Sequence, residues 1–275
     1  MPAGAYPAGS LHSGVVVLFR RLFGQKRQAP PSTGGRLVYA IGDVHGRLDL
    51  LGALLHDIAR DALASRPTER PLLVLLGDYV DRGPDSRGVV DLILQMQADG
   101  TFEVAALKGN HEAALLQFLD DPSAAATWME YGGGATLASY GVQPPVARID
   151  AESWIKVREA FAAALPQEHL SFYRTLEMVR VVGDYAFVHA GVRPGVALED
   201  QAERDLLWIR YEFLNDRGPF GKVIVHGHTP TAEPQVLKHR LGLDTGAYAT
   251  GVLTAVRLHG AEQRVMQANA HRRAA

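Results

Sequence analysis

Five short polar clusters interrupt a largely apolar chain of 275 residues, each directly after a run of strand-forming residues. They read GDVHG (42–46), GDYVDRG (77–83), GNHE (109–112), FVHAG (187–191) and VHGHTP (225–230). Asp, Asn and His at the ends of apolar runs are costly to bury unless they are hydrogen-bonded or hold an ion. One such residue would pass for a hydrogen-bonded core group, but five clusters in succession point to metal ligation. The donors are hard oxygens and imidazoles, because the chain has no cysteine. Such donors suit manganese, iron, zinc or magnesium. Asp43 and His45 stand two apart, so on an extended loop both side chains reach one ion from the same side. Arg82 shares a loop with Asp78, and its planar fork suits two phosphate oxygens.

Positioning these clusters falls to a repeated unit. RLVYAIG (36–42) leads through the first cluster into a helical pattern of Leu48, Leu51, Leu54, Leu55 and Ile58. PLLVLLG from Pro71 leads into Val89, Val90, Leu92, Ile93 and Met96, and FEVAALKG from Phe102 into Ala113, Leu116 and Leu119. Three strand–loop–helix units predict a parallel sheet with ligands gathered at the carboxyl ends of its strands. Residues from about 120 to 176 break the rhythm and are expected to form a small inserted helical cap; Trp128, Tyr131, a glycine joint at 132–134 and Tyr140 fall where a substrate could run, although aromatics at such spacing are more often core than ligand contacts. Strand-like runs return at 178–182, 185–189, 222–226 and 249–258, so a second sheet should pack on the first in a layered α/β fold.

The bulk composition excludes several classes. Lys+Arg of 28 against Asp+Glu of 30 leaves a net charge of −2, which argues against a nucleic-acid surface. A hydrophobic fraction of 47% supports one large domain. Val15 to Phe19 is far short of a spanning segment, so a cytoplasmic location is expected. Residues 11–27 pair an apolar stripe with Arg20, Arg21, Lys26 and Arg27, a pattern compatible with peripheral membrane contact, although a frayed extension is the plainer expectation. Residues 1–35 then form a basic extension ending in a Pro/Ser/Gly linker, 36–260 the catalytic domain, and 261–275 a tail. No heptad run marks an oligomer interface, and a monomer is the default.

The ordered set of clusters resembles the phosphoprotein phosphatase family of serine/threonine phosphatases, within the calcineurin-like metallophosphoesterases. The short spacing and the GHTP ending are similar to the compact bacterial and phage members. The resemblance implies a layered αββα sandwich of two mixed β-sheets flanked by helices. It assigns Asp43 and His45 to a first metal, Asp78 as the bridge, and Asn110, His189 and His228 to a second. It implies two divalent ions, manganese foremost, with iron, zinc or magnesium as alternatives. It also implies direct attack by a bridging hydroxide on phosphoserine or phosphothreonine in proteins. Two divalent ions less two carboxylates and a hydroxide leave a positive pocket for phosphate. By the same resemblance Arg82 and Arg210 bind the phosphate, while His111, assisted by Asp81, protonates the leaving alkoxide. His226, Glu112 and Asp244 stay outside this primary set. Two other functions compete: a symmetrical dinucleoside tetraphosphate hydrolase, for which no base or ribose cradle is legible, and a non-catalytic metal-binding adaptor.

Overall fold

The protein is described by a computed structural model covering residues 29–145 and 150–270. The expected amphipathic segment at 11–27 lies outside the described residues. Two five-stranded sheets face one another. The first has the order β10-β9-β1-β2-β3, built from β1 (Leu37–Ile41), β2 (Leu72–Leu75), β3 (Glu103–Ala106), β9 (Val252–His259) and β10 (Glu262–Asn269). β1, β2 and β3 are mutually parallel, β9 runs antiparallel to β1, and β10 runs antiparallel to β9 at the sheet edge. The second has the order β4-β5-β6-β8-β7, from β4 (Arg180–Val182), β5 (Tyr185–Phe187), β6 (Val223–His226), β7 (Gln235–Val236) and β8 (Arg240–Gly242), with β5, β6 and β8 parallel.

Side-chain alternation divides each strand between two cores. From the first sheet, Val38, Ala40, Leu72 and Val74 meet Tyr185, Phe187, Val223, Val225 and Leu241 between the sheets. Leu37, Tyr39, Ile41, Leu73 and Leu75 face the opposite way, into a layer of helices. Burial on both faces explains why these strands read as unbroken apolar runs. The helical layer comprises α1 (Leu48–Ser65), α2 (Ser86–Asp99), α3 (Asn110–Asp120), α4 (Ala125–Glu130), α5 (Gly133–Ser139), α6 (Ala151–Ala164) and α7 (Gln167–Thr175). On the far side, α8 (Glu203–Trp208) and α9 (Tyr211–Leu214) place Leu206 and Phe213, with Ile209 between the helices, against Ala186, Val188 and Ile224. The result is the expected αββα sandwich.

Three boundaries differ from the sequence expectation. The described residues of the 120–176 stretch are mainly helical, yet Trp128, Leu137, Phe161, Phe172 and Tyr173 join the same core as Tyr39 and Leu73, so they extend the helical layer. Residues 31–35 are not a free linker. Ser32 O accepts from Asp184 N (2.8 Å), Thr33 Oγ1 accepts from Gly260 N (3.2 Å), and Thr33 is buried. The tail begins later than residue 261, because β10 pairs with β9 along its whole length. Its run of polar residues, exposed Glu262 and Arg264 with half-buried Gln263 between them, masked the strand pattern. Among the described residues no helix is long and apolar enough to cross a membrane.

Candidate active site

All five clusters converge where strands end. β1 delivers Asp43 and His45, β2 delivers Asp78, Asp81 and Arg82, and Asn110 and His111 follow β3 to open α3. His189 follows β5 and His228 follows β6. The loops are bent hard to do this. Among the described residues six non-glycines have positive φ, and five of them are His45, Asp78, Asp81, Arg82 and His228. Such conformations cost on the order of 1–3 kcal/mol each and cluster at functional sites. His45, at φ 45°, also shows that the loop carrying Asp43 and His45 is coiled, not extended as the spacing suggested.

Asp78 is the hub. His45 Nε2 lies 3.6 Å and His111 Nε2 3.8 Å from its Oδ2, and His189 Nε2 lies 3.5 Å from Oδ1. Two groups of buried donors converge closely enough to hold an ion each: His45, Asp78 and His111, and Asp78, His189 and His228. Asn110 Oδ1 belongs to the second, 3.0 Å from His189 Nε2 and 2.8 Å from His228 Nδ1. Asp43 is buried beside them, but its carboxylate is turned toward the His228 amide (3.0 Å) and Asp244. Thus His111 stands in the first trio where the family resemblance put Asp43.

The protonation states suit cations. Burial alone would raise Asp78, yet the surrounding imidazoles hold it well below the usual carboxylate range. Burial pushes His45 down to about 3 and His228 to about 2, keeping both rings neutral, as ligands must be. Nδ1 of His45 lies 2.8 Å from Val80 O, and Nδ1 of His189 lies 2.8 Å from Leu76 O. A proton on each Nδ1 leaves Nε2 free as a donor to an ion. His228 Nε2 is buried with no hydrogen-bond partner. Gly109 and Gly227 leave room that a side chain would fill, since a Cβ there would come within 2.1 Å of Asp78 Oδ1 and 1.9 Å of Asp43 Oδ1. The residues present therefore fit a pair of divalent cations.

The proton-donor pair is equally explicit. His111 Nδ1 lies 2.7 Å from Asp81 Oδ2, and both residues are buried. Asp81 also accepts from Trp128 Nε1 (3.0 Å) and Thr136 Oγ1 (2.6 Å). Burial pulls the His111 pKa down, but Asp78 and Asp81 together raise it above the ordinary imidazole value. Arg82 is exposed, its Nη1 3.2 Å from His45 Nε2 and its guanidinium 4.8 Å above the Tyr248 ring. Arg210, also exposed, has no ion pair among the described residues, and its charge helps to lower the pKa of His189 and His228.

Several supporting residues lay outside the primary set. Glu112 is fully buried and accepts from the amides of Asp78 (2.9 Å), Tyr79 (2.7 Å) and Gly109 (2.9 Å), locking the second cluster to the third. Its place three residues into GNHE was the only signal. Trp128, one of the cap aromatics whose spacing favours a core role over a substrate contact, is a core ring whose N–H serves Asp81. Tyr140 is likewise internal, its hydroxyl 2.7 Å from His169 Nδ1. His226, as anticipated, is not among the converging donors: its ring lies 5.1 Å from Phe213 and its Nε2 3.4 Å from Arg240.

Comparison with known proteins agrees with this geometry. The curated relatives include an asymmetrical bis(5'-nucleosyl)-tetraphosphatase, PrpE, of Anoxybacillus flavithermus, 25% identical over 79% of this chain and 88% of its own length. Among solved structures, a candidate diadenosine tetraphosphatase superposes with a TM-score of 0.58 at 22% identity, covering 86% of this chain and 95% of that one. A serine/threonine phosphatase of Saccharomyces cerevisiae does so with a TM-score of 0.54 at 14% identity, over 87% and 82%. The sequence model of the calcineurin-like phosphoesterases matches residues 37–251, spanning every cluster described above, and the chain belongs to that family.

Proposed function

We propose that the protein hydrolyses phosphate monoesters whose leaving group is an alkoxide, phosphoserine and phosphothreonine in proteins. The six residues Asp43, His45, Asp78, Asn110, His189 and His228 would hold two divalent cations, with His111 beside the first. When bound, such cations supply Lewis acidity toward phosphoryl oxygens and make water more acidic. Arg82 and Arg210, from distant parts of the sequence, would present fixed positive charge to the phosphate.

The observation that carries this reading is the buried Asp81–His111 pair at 2.7 Å. A serine or threonine alkoxide is a strong base and departs slowly without a proton, whereas a phosphate leaving group needs little help. An imidazolium stabilised by two carboxylates is a proton donor suited to the first case. The test is a series of phosphate esters graded by leaving-group basicity, assayed with the native enzyme and His111→Asn. Proton donation predicts a variant increasingly impaired, to roughly 10²–10⁴-fold, as the leaving group becomes more basic. A loss of equal size across the series would contradict it.

A second reading has specific support: the curated relatives are named as nucleotide hydrolases, so a dinucleoside polyphosphate is the alternative substrate. On that reading the leaving group is a phosphate and His111→Asn costs little.

A further inference from the structure

Arg240, on β8, is only 6% exposed and has no acid to balance it. Its Nη1 lies 3.4 Å from His226 Nε2, a long contact to a ring that brings no negative charge. Its Nε is sealed from solvent without a hydrogen-bond partner. Among the described residues Nη2 has no partner either, although it is not sealed, and Arg240 makes no ion pair. The other buried arginine, Arg257, is treated differently by the fold, pairing with Asp61 at 2.8 Å and Glu262 at 2.7 Å. Burial lowers the Arg240 pKa with nothing to oppose it. Buried charges are ordinarily paired, because an unpaired one is costly.

We infer that Arg240 anchors a second anion site, apart from the metal centre, for a small oxyanion that offers two oxygens from one central atom. Nε and Nη2 form one edge of the guanidinium fork, and that edge suits two such oxygens. An oxygen reaching Nη2 from solvent brings a second one beside Nε. Arg240 pairs with Ile224, two residues before His226, while the ligand His228 lies beyond the end of β6. Its neighbour Leu241 faces between the sheets, so Arg240 faces the outer side with Ile224 and Phe213. The rings of His226, Phe213, Phe220 and His239 follow one another there at 5.1, 5.2 and 6.0 Å. Neither phenylalanine stacks on the guanidinium, and such apolar walls strengthen a charge pair formed beside them. Arg217 adds to the positive field, since it and Arg240 both depress the pKa of His239. Asp216 does not cancel that field by pairing with either arginine; its Oδ1 accepts from Gly218 N (2.7 Å).

The test measures the melting temperature of the full chain with Mn²⁺ against rising phosphate, sulfate and acetate, at constant ionic strength set with chloride. An anion that binds the folded chain stabilises it, so at least one of the three should raise the midpoint by a few degrees. The most effective of them tells whether the site takes a tetrahedral anion or a carboxylate. In Arg240→Met that rise should vanish while bound Mn²⁺ stays the same. Without anion the variant should melt at or above the native protein, because an apolar stem replaces an unpaired charge. A rise of equal size in Arg240→Met would put the anion at the metal centre and overturn the inference. Absence of a rise with all three anions would overturn it too. Should Arg240→Met fail to fold, Arg240→Lys carries the test by calorimetric titration with the most stabilising anion. It keeps the charge and loses the fork, so affinity should fall by about tenfold, and equal affinity would contradict the assignment.

Discussion

Asp78 brings one negative charge into a cluster of imidazoles and is common to both donor groups. Asp78→Asn keeps the shape and removes the charge, so bound metal should fall from two ions per chain toward none and turnover by at least about 10³-fold, an effect of the size that loss of a central charged group produces. Elemental analysis of the purified variant checks the first and phosphate release the second; a variant that keeps both ions and activity would end the bridging assignment. His111 makes a pH prediction. Its pKa is raised because Asp78 and Asp81 outweigh burial, and it donates only when protonated. Turnover of an alkyl phosphate should therefore fall as pH rises through that raised value. Asp81→Asn removes one of the two anions, so the fall should move to lower pH, as a full pH–rate profile of the variant will show.

At the scale of elements, the loops matter more than the strands. Glu112 opens α3 and holds the amides of the second cluster, so the geometry of Asp78 depends on a residue from another strand–helix unit. Glu112→Gln replaces a charged acceptor with an amide that must turn an N–H toward one of those donors, which should cost about 1–3 kcal/mol. Urea unfolding at fixed metal concentration measures it, and an unchanged midpoint would show that the loops hold themselves. Most of this architecture was legible because burial on both faces leaves unbroken apolar runs such as LLVL in β2, with ligands directly after them. The second sheet was harder to read. β7 and β8 span only Gln235–Val236 and Arg240–Gly242, too short for alternation to register. The bent backbone at His45 and the long-range partners of Asp81, Trp128 and Thr136, were invisible because they arise only when three separate segments meet.

Across the whole molecule, the site gathers Asp43, Asp78, Asp81, Glu112 and Asp244 where two layers end, all buried. Burial raises Asp244 to about 6 and Glu112 to about 7, the mark of acids held together without enough positive charge. Divalent ions bound there should stabilise the fold by linkage, so chelation should lower the melting temperature by several degrees and added Mn²⁺ should restore it. Differential scanning calorimetry decides this, and a melting temperature indifferent to chelator would argue that the carboxylates are neutralised in another way. The central claim, that this fold directs a two-metal centre at phosphoserine and phosphothreonine, is met most directly by one comparison. Purified protein with Mn²⁺ is assayed for kcat/KM on a phosphothreonine peptide and on diadenosine tetraphosphate under identical conditions. The account predicts preference for the peptide; preference for the dinucleotide would contradict it and give the site to a nucleotide substrate.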